Sequence, residues 1–213
     1  MFELKNIHYK GILDIPAMTI DEGKITCLVG LSGGGKTTLL KMLNKMISPE
    51  SGEIRFEGES LETLDSVLHR RRVLLLDQHP FLFGGTIKDN LIKPFQFHAK
   101  QAPPESSLKD VLRMVRLDKA LDKNVSTLSG GEAQRLALAR ILMLDGDVYL
   151  LDEPSSALDD QTEADVIDTL VDFVKTKQKT LVMVTHSRSI AKAYGERIFT
   201  VDQGHIKEET NDG

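Results

Sequence analysis

Cysteine is almost absent from this chain of 213 residues; Cys27 is the only one. No intrachain disulfide can form, so the fold must rest on a packed core, as expected of a protein in a reducing compartment such as the cytosol. Cys27 lies within an apolar run and reads as a small buried residue. Also missing is any apolar stretch near the ~20 residues needed to span a bilayer, so a role at a membrane has to come through a separate protein. The amino terminus, Met1-Phe2-Glu3-Leu4-Lys5, has neither the basic start nor the apolar core of a signal peptide. Positive charge is in deficit, with 27 Lys and Arg against 32 Asp and Glu, a net charge of −5. That argues against a nucleic-acid surface, where a basic patch is expected. The basic run His69-Arg70-Arg71-Arg72 is too short to change this and reads as a solvated helix end before a strand. Internal repeats and low-complexity tracts are lacking too. What remains, 40% hydrophobic and 28% charged residues, describes an ordinary globular protein long enough to bury one core.

The pattern along the chain alternates between strands and helices. Residues 2–9 and 25–29 read as strands separated by a turn at Gly23. Glu53-Ile54-Arg55-Phe56-Glu57 alternates with period two, the mark of a half-buried strand. The continuous apolar run Val73 to Leu76 predicts a central strand. From about Thr86 to Thr127 the pattern is helical, with a loose interval around 98–107. Within it Leu108, Val111, Leu112 and Val115 form a 3.6-residue stripe suited to core packing. Strand–helix alternation returns at 148–151, 162–175, 180–184 and 197–201, which predicts a mostly parallel sheet flanked by helices.

Three segments carry chemistry. Gly30-Leu31-Ser32-Gly33-Gly34-Gly35-Lys36-Thr37 is a complete G-x-x-x-x-G-K-[ST] phosphate-binding loop, preceded by the strand-like Ile25 to Val29 and followed by a helix-like stretch from Thr38. This context is what the motif requires. The glycines let successive N–H groups turn inward around phosphates, Lys36 reaches the β- and γ-phosphates and Thr37 can hold Mg²⁺. The chain therefore binds a nucleoside triphosphate. Next, Ser129-Gly130-Gly131-Glu132 precedes a strong helix former, with Ser129 as N-cap and two glycines leaving the amides uncovered. This is a second helix start able to receive an anion, and equally a description of a capped structural helix. Finally, Val148-Tyr149-Leu150-Leu151 ends at Asp152-Glu153, on the carboxyl edge of a parallel strand where ligands of α/β sheets sit. Asp152 there suits Mg²⁺ and Glu153 suits deprotonation of an attacking water.

Taken together, the motifs and their order make the chain similar to the nucleotide-binding domain of ABC ATPases over nearly its whole length. That resemblance implies an α/β fold of ABC type, with a mostly parallel sheet core, a small antiparallel β part and a helical subdomain. It divides one ATPase domain into a core of 1–85 and 128–213 and a subdomain of about 86–127. It also implies further roles. Gln78 matches the Q-loop glutamine, a contact to Mg²⁺ and water that also senses the membrane partner, and Asp159 closes a segment, 156–159, resembling the D-loop. His186 matches the switch histidine at the γ-phosphate, and Tyr9 the aromatic that stacks on adenine, although an aromatic after a strand also reads as core packing. Thr38 joins the phosphate loop in lining the nucleotide. In the family, Ser129, Gly130, Gly131 and Glu132 of one subunit close over ATP held by the other. The implied cofactors are ATP and Mg²⁺, and the implied partners are a second copy of the chain and a separate transmembrane permease. Its place is then the cytoplasmic face of the membrane, held there through the permease, with no nucleic acid expected. One phosphate loop, no room for a long insertion before Ser129 and a short tail after His186 point to a minimal ATPase subunit. The segment Pro80 to Leu91 resembles the one after the Q-loop in exporter-type subunits, and reads equally as a turn into a helix capped by Thr86. With Gly58-Glu59 and Leu91-Ile92-Lys93-Pro94 beside it, the chain looks most like the bacterial FetA-type group, associated with metal (iron) export. The competing class is a soluble regulatory or mechanical ATPase acting on a protein or nucleic acid. The joint presence of Lys36, Asp152, Glu153 and His186 disfavours a module without turnover.

Overall fold

The computed structural model describes residues 1–97, 100–155 and 160–209. In chain order the elements are β1 (Phe2–Tyr9), β2 (Leu13–Ile20), β3 (Ile25–Val29), α1 (Lys36–Leu43), β4 (Ser51–Phe56), β5 (Glu59–Ser60), α2 (Ser66–Arg72) and β6 (Val73–Leu76). There follow α3 (Ile87–Phe97), α4 (Glu105–Met114), a single 3-10 turn (Val125–Thr127) and α5 (Gly130–Leu142). The chain closes with β7 (Val148–Asp152), α6 (Asp160–Thr176), β8 (Thr180–Val184), α7 (Arg188–Tyr194), β9 (Arg197–Asp202) and β10 (His205–Glu208). The described residues of Met1–Asp77, Gly146–Glu153 and Val174–Gly213 gather into one compact unit, and those of Gln78–Asp145 and Pro154–Phe173 into a second.

The first unit holds two sheets. One is antiparallel, in the order β2-β1-β4-β5; the other runs β10-β9-β3-β8-β7-β6. In the larger sheet β9, β3, β8, β7 and β6 pair in parallel and only β10 is antiparallel. The parallel strands read as unbroken apolar runs because both faces are covered: all five residues of β3, of β7 and of β8 are buried. A single core joins Phe2, Leu4, Ile7 and Ile15 of the small sheet to Leu39 and Leu40 of α1 and to Leu28, Val182, Val184 and Val201 of the large one. Each such side chain contributes about 1.5–3 kcal/mol by leaving water.

Several expectations change in this unit. The Val73–Leu76 strand is at the sheet edge, not its centre. A continuous apolar run reports that both faces are covered and is silent about lateral neighbours; α1 packs against β6 and β7. β2 was not expected, because Pro16 breaks its pattern. Pro16 is tolerated since β2 is an outer strand, where a missing N–H costs no ladder bond. β10 also escaped sequence reading; it returns from β9 through a two-residue turn with Gln203 at φ 44° and Gly204 at φ 84°, the positive pair of a tight hairpin. In the basic run, Arg72 pairs with Glu57 at 2.7 Å and with Asp147, and His69 is buried; neither is simply solvated.

In the second unit α3 and α4 both pack against α5. The stripe of Leu108, Val111, Leu112 and Val115 is buried as its spacing predicts. Thr86 starts α3: its hydroxyl accepts from the Asp89 amide at 3.1 Å while the Asp89 carboxylate accepts from the Thr86 amide at 2.8 Å, a reciprocal cap.

Candidate functional site

Gly30 leaves the buried strand β3 and begins the loop. A Cβ added to Gly30, at φ 141°, would lie 2.1 Å from the carbonyl oxygen of Val201 on neighbouring β9, so no other residue fits without moving backbone. Gly35 ends the loop at φ 102°, with no side-chain cap on α1, so the first-turn amides stay available to a ligand at the helix start. Leu31, Ser32 and Gly33 are exposed, Gly34, Gly35 and Lys36 buried, and Thr37 and Thr38 half-buried. The Lys36 ammonium curls back over the loop and donates to the carbonyls of Gly30 at 2.9 Å and Leu31 at 2.7 Å. Burial lowers its pKa, opposed by the nearby carboxylates of Glu153 and Asp152.

Strand β7 delivers those carboxylates beside β8, with Asp152 in register with Val184. The Thr37 hydroxyl donates to Asp152 Oδ2 at 2.6 Å. Burial raises the Asp152 pKa; the Thr37 bond and Lys41 oppose the rise, while Glu153 and Asp77 add to it. At Glu153 the backbone turns left-handed, at φ 50°, a costly conformation for a side-chain-bearing residue and one concentrated at functional sites. The Glu153 amide donates to the Val184 carbonyl at 3.2 Å and the Thr185 amide to that of Leu28 at 3.2 Å. These bonds bring the end of β8 beside the carboxylates. There His186 Nε2 lies 2.6 Å from Glu153 Oε1; the Glu153 side chain is largely buried at 12% exposure and that of His186 is half-exposed at 48%. One unit therefore gathers Lys36, Thr37, Asp152, Glu153 and His186 from the carboxyl ends of β3, β7 and β8.

Among the described residues no three His, Cys, Asp or Glu side chains form a ligand set for a metal ion. The adjacent oxygens of Thr37 and Asp152 suit an ion that takes its other ligands from phosphate and water, which is the habit of Mg²⁺.

Tyr9 ends β1 half-buried against the core, with the Lys10 ammonium 5.2 Å from its ring centre. Gln78 opens the second unit. In that unit Ser129 caps α5: its hydroxyl accepts from the Glu132 amide at 3.3 Å and Glu132 Oε2 accepts from the Ser129 amide at 2.9 Å. Glu132 also pairs with Lys119 at 2.9 Å. The Ser129 amide and then Lys119 hold the Glu132 pKa down at about 2. Ser129 and Gly130 are exposed and Gly131 half-buried, and the first-turn amides have no carbonyl one turn earlier. Asp159, with the rest of 156–159, lies outside the described residues. Sequence reasoning passed over Lys41 and Asp77, an ion pair at 3.0 Å whose charges act on Asp152. Lys41 stands four residues after Thr37, one helical turn along, and that spacing was the available signal.

Phosphate loop, strand-end carboxylates and histidine on a mostly parallel sheet define a P-loop nucleotide hydrolase. A family model described as ABC transporter matches residues 13–156, more than half of the chain, and the chain belongs to this family of ATPases. It is 38% identical over 192 residues to FetA of Escherichia coli K12, named as a probable iron export ATP-binding protein, covering 88% of this chain and 85% of FetA. It is 35% identical to the transport/processing ATP-binding protein ComA of Streptococcus pneumoniae R6, over 96% of this chain but only 30% of ComA's length. Among solved structures, the post-hydrolysis dimer of the ATP-binding cassette MJ0796, bound to ADP and phosphate, aligns over 100% of both chains with TM-score 0.87 and 28% identity.

Proposed function

We propose that the chain is the ATP-hydrolysing subunit of a transporter, closing as a homodimer around two ATP molecules and driving a separate membrane permease. The observation that carries this reading is the pairing of Thr37 with Asp152 and of His186 with Glu153, each at 2.6 Å, beside one phosphate loop. ATP entering the loop offers Lys36 phosphate oxygens in place of the Gly30 and Leu31 carbonyls it now contacts. Thr37 and Asp152 are the side chains that would hold Mg²⁺, which when bound neutralises phosphate charge as the terminal group departs; Gln78 keeps the Q-loop role that its place in the sequence implies. Glu153 orients a water and takes its proton. His186 holds that carboxylate through Nε2 and stands ready for the γ-phosphate. Tyr9 stacks on the base, and Thr38 continues the loop's contacts into α1.

Ser129, Gly130, Gly131 and Glu132 serve the other subunit's ATP, and Asp159 belongs to the same interface. That role accounts for a reciprocally capped helix whose first residue, Gly130, is exposed. The dimeric MJ0796 cassette supports the arrangement. Hydrolysis removes the shared phosphate and lets the pair open, a two-state change that a permease can use.

No described helix is long and apolar enough to cross a membrane; in this proposal the permease spans it. In the second unit Phe81 is 71% exposed, edge-on to Phe83 at 5.4 Å, which meets Phe97 at 5.6 Å. Such a patch suits a docked helix of the permease. Similarity to FetA makes metal (iron) export the cargo reading.

Tagged Glu153→Gln protein, drawn from its native membranes with ATP and Mg²⁺, should bring down a polytopic membrane protein in stoichiometric amount. Recovery of soluble proteins or nucleic acid alone would replace the transporter reading by that of a regulatory ATPase.

A further inference from the structure

His186 reaches Glu153 from a short loop between β8 and α7 and is itself half-exposed, so something other than burial must hold the loop in place. Part of the answer is local. The Ser187 amide donates to Thr185 Oγ1 at 3.0 Å, and the Ser187 hydroxyl accepts from the Ile190 amide at 3.3 Å to cap α7. The rest comes from far along the chain. Arg188, two residues beyond His186, donates through Nη1 to Glu209 Oε1 at 3.0 Å. That same oxygen accepts from the Thr200 hydroxyl at 2.6 Å. Thr200 belongs to β9 and is in register with Val29, the residue before Gly30. Glu209 is fixed by its own backbone as well, its amide donating to the Ile198 carbonyl at 2.8 Å.

We infer that Glu209 is a positioning residue for ATP hydrolysis, tying the His186 loop through Arg188 to the strand pair that carries the phosphate loop. One carboxylate oxygen joins the start of α7 to β9 at the level of Val29. The two donors, Thr200 first and Arg188 after it, keep the Glu209 pKa below the ordinary carboxylate value, so the clamp stays charged at neutral pH. Arg188 is 62% exposed and Glu209 28% exposed. The ion pair therefore adds little to global stability, and its effect falls on geometry, where a 1 Å displacement of a catalytic group can cost ~10²-fold in rate. The inference rests on the catalytic role proposed for His186.

The test is a double-mutant cycle on the whole chain, measuring ATP turnover and thermal stability together. Glu209→Ala should lower kcat on the order of tenfold, within that geometric limit, while the KM for MgATP and the melting temperature hold. Glu209→Gln, which keeps an acceptor for both donors, should fall between that variant and the native chain. In a His186→Ala background, Glu209→Ala should add no further loss, because its effect passes through the imidazole. Independent losses that multiply, or a kcat that falls only together with the melting temperature, would overturn the inference and leave Glu209 a structural residue. If His186→Ala itself leaves kcat unchanged, the site reading fails and the inference falls with it. NMR of the histidine rings gives a readout independent of turnover. Glu209→Ala should displace the His186 signals and leave those of His69 in place; unmoved His186 signals would contradict the clamp.

Discussion

At Lys36 the side-chain nitrogen makes two hydrogen bonds to its own loop, buried where desolvation lowers its pKa and the carboxylates of Glu153 and Asp152 oppose that fall. Removing it should remove charge-assisted bonds to phosphate, worth ~1.5–3 kcal/mol for a charged group. Lys36→Ala is thus expected to weaken ATP binding roughly 10- to 150-fold by that conversion, measured by titration calorimetry; unchanged affinity would reject the assignment. Glu153→Gln keeps the shape of the side chain and removes the base. Turnover should fall by ~10²–10⁴-fold, the usual contribution of a general base, with ATP affinity retained, as single-turnover assay and calorimetry on the same protein would show. Lys36, Thr37, Asp152 and Glu153 stood out as candidates because a phosphate loop and an acid pair at a strand end have fixed spacing in sequence, whereas His186 and Tyr9 became candidates only through the family resemblance. Asp77, Arg188 and Glu209 did not, since ion pairs and side-chain clamps form between elements whose packing no local pattern records; Lys41 alone left a trace, its helical spacing from Thr37. Glu153's left-handed backbone was equally hidden: it comes from the turn that the chain makes between β7 and β8's neighbouring end.

Among the elements, α2 shows how far composition can mislead. His69 looked like part of a solvated basic run, yet it lies under the helix with its ring edge-on to Phe56 at 5.0 Å, and Nε2 is 2.8 Å from the Leu43 carbonyl. Nδ1 is buried without a partner. Burial, aided by Lys45, Arg72 and Arg70 and opposed by the Leu43 bond, lowers the pKa from 6.5. Well above pH 6.5 the ring is neutral in both folded and unfolded chains and contributes no slope. As pH falls below 6.5 the unfolded chain takes up the proton first, so stability should drop by at most about 1.4 kcal/mol per pH unit from this group. Denaturant melts of the native protein and His69→Gln at pH 8 and pH 5.5 check this; an equal pH dependence in both would contradict it. In α5 the depressed Glu132 acts at lower pH. Its stabilising contribution is complete above 4.5, the unfolded value, and is lost as pH falls from there toward about 2. The stability gap between native protein and Glu132→Ala should therefore shrink between pH 5 and pH 2.5, measured by the same melts. Elements with long unbroken or periodic patterns, β3, β7, β8 and the stripe of α4, were readable from the sequence. β2, β5 and β10 were not: a proline, a length of two residues and a hairpin register set by distant packing leave only a weak local signal.

For the whole molecule, the proposed function requires two helix starts, one after Gly35 and one after Ser129, to serve the same ATP across two copies of the chain. A two-fold dimer satisfies this because each copy lends the same surface to the other. A transport ATPase needs that closure to be conditional, present with ATP and released after hydrolysis. Ser129→Arg should then block pairing by placing a long charged side chain at the helix start while leaving ATP binding by the monomer intact, a contrast that sedimentation and nucleotide titration would separate. The most direct measurement is the mass in solution of Glu153→Gln protein, by light scattering on a sizing column, with and without saturating ATP and Mg²⁺. The account predicts a shift from the 23.7 kDa monomer to twice that mass only when ATP and Mg²⁺ are present. A protein that remains at 23.7 kDa under those conditions, while shown to bind ATP, would contradict it.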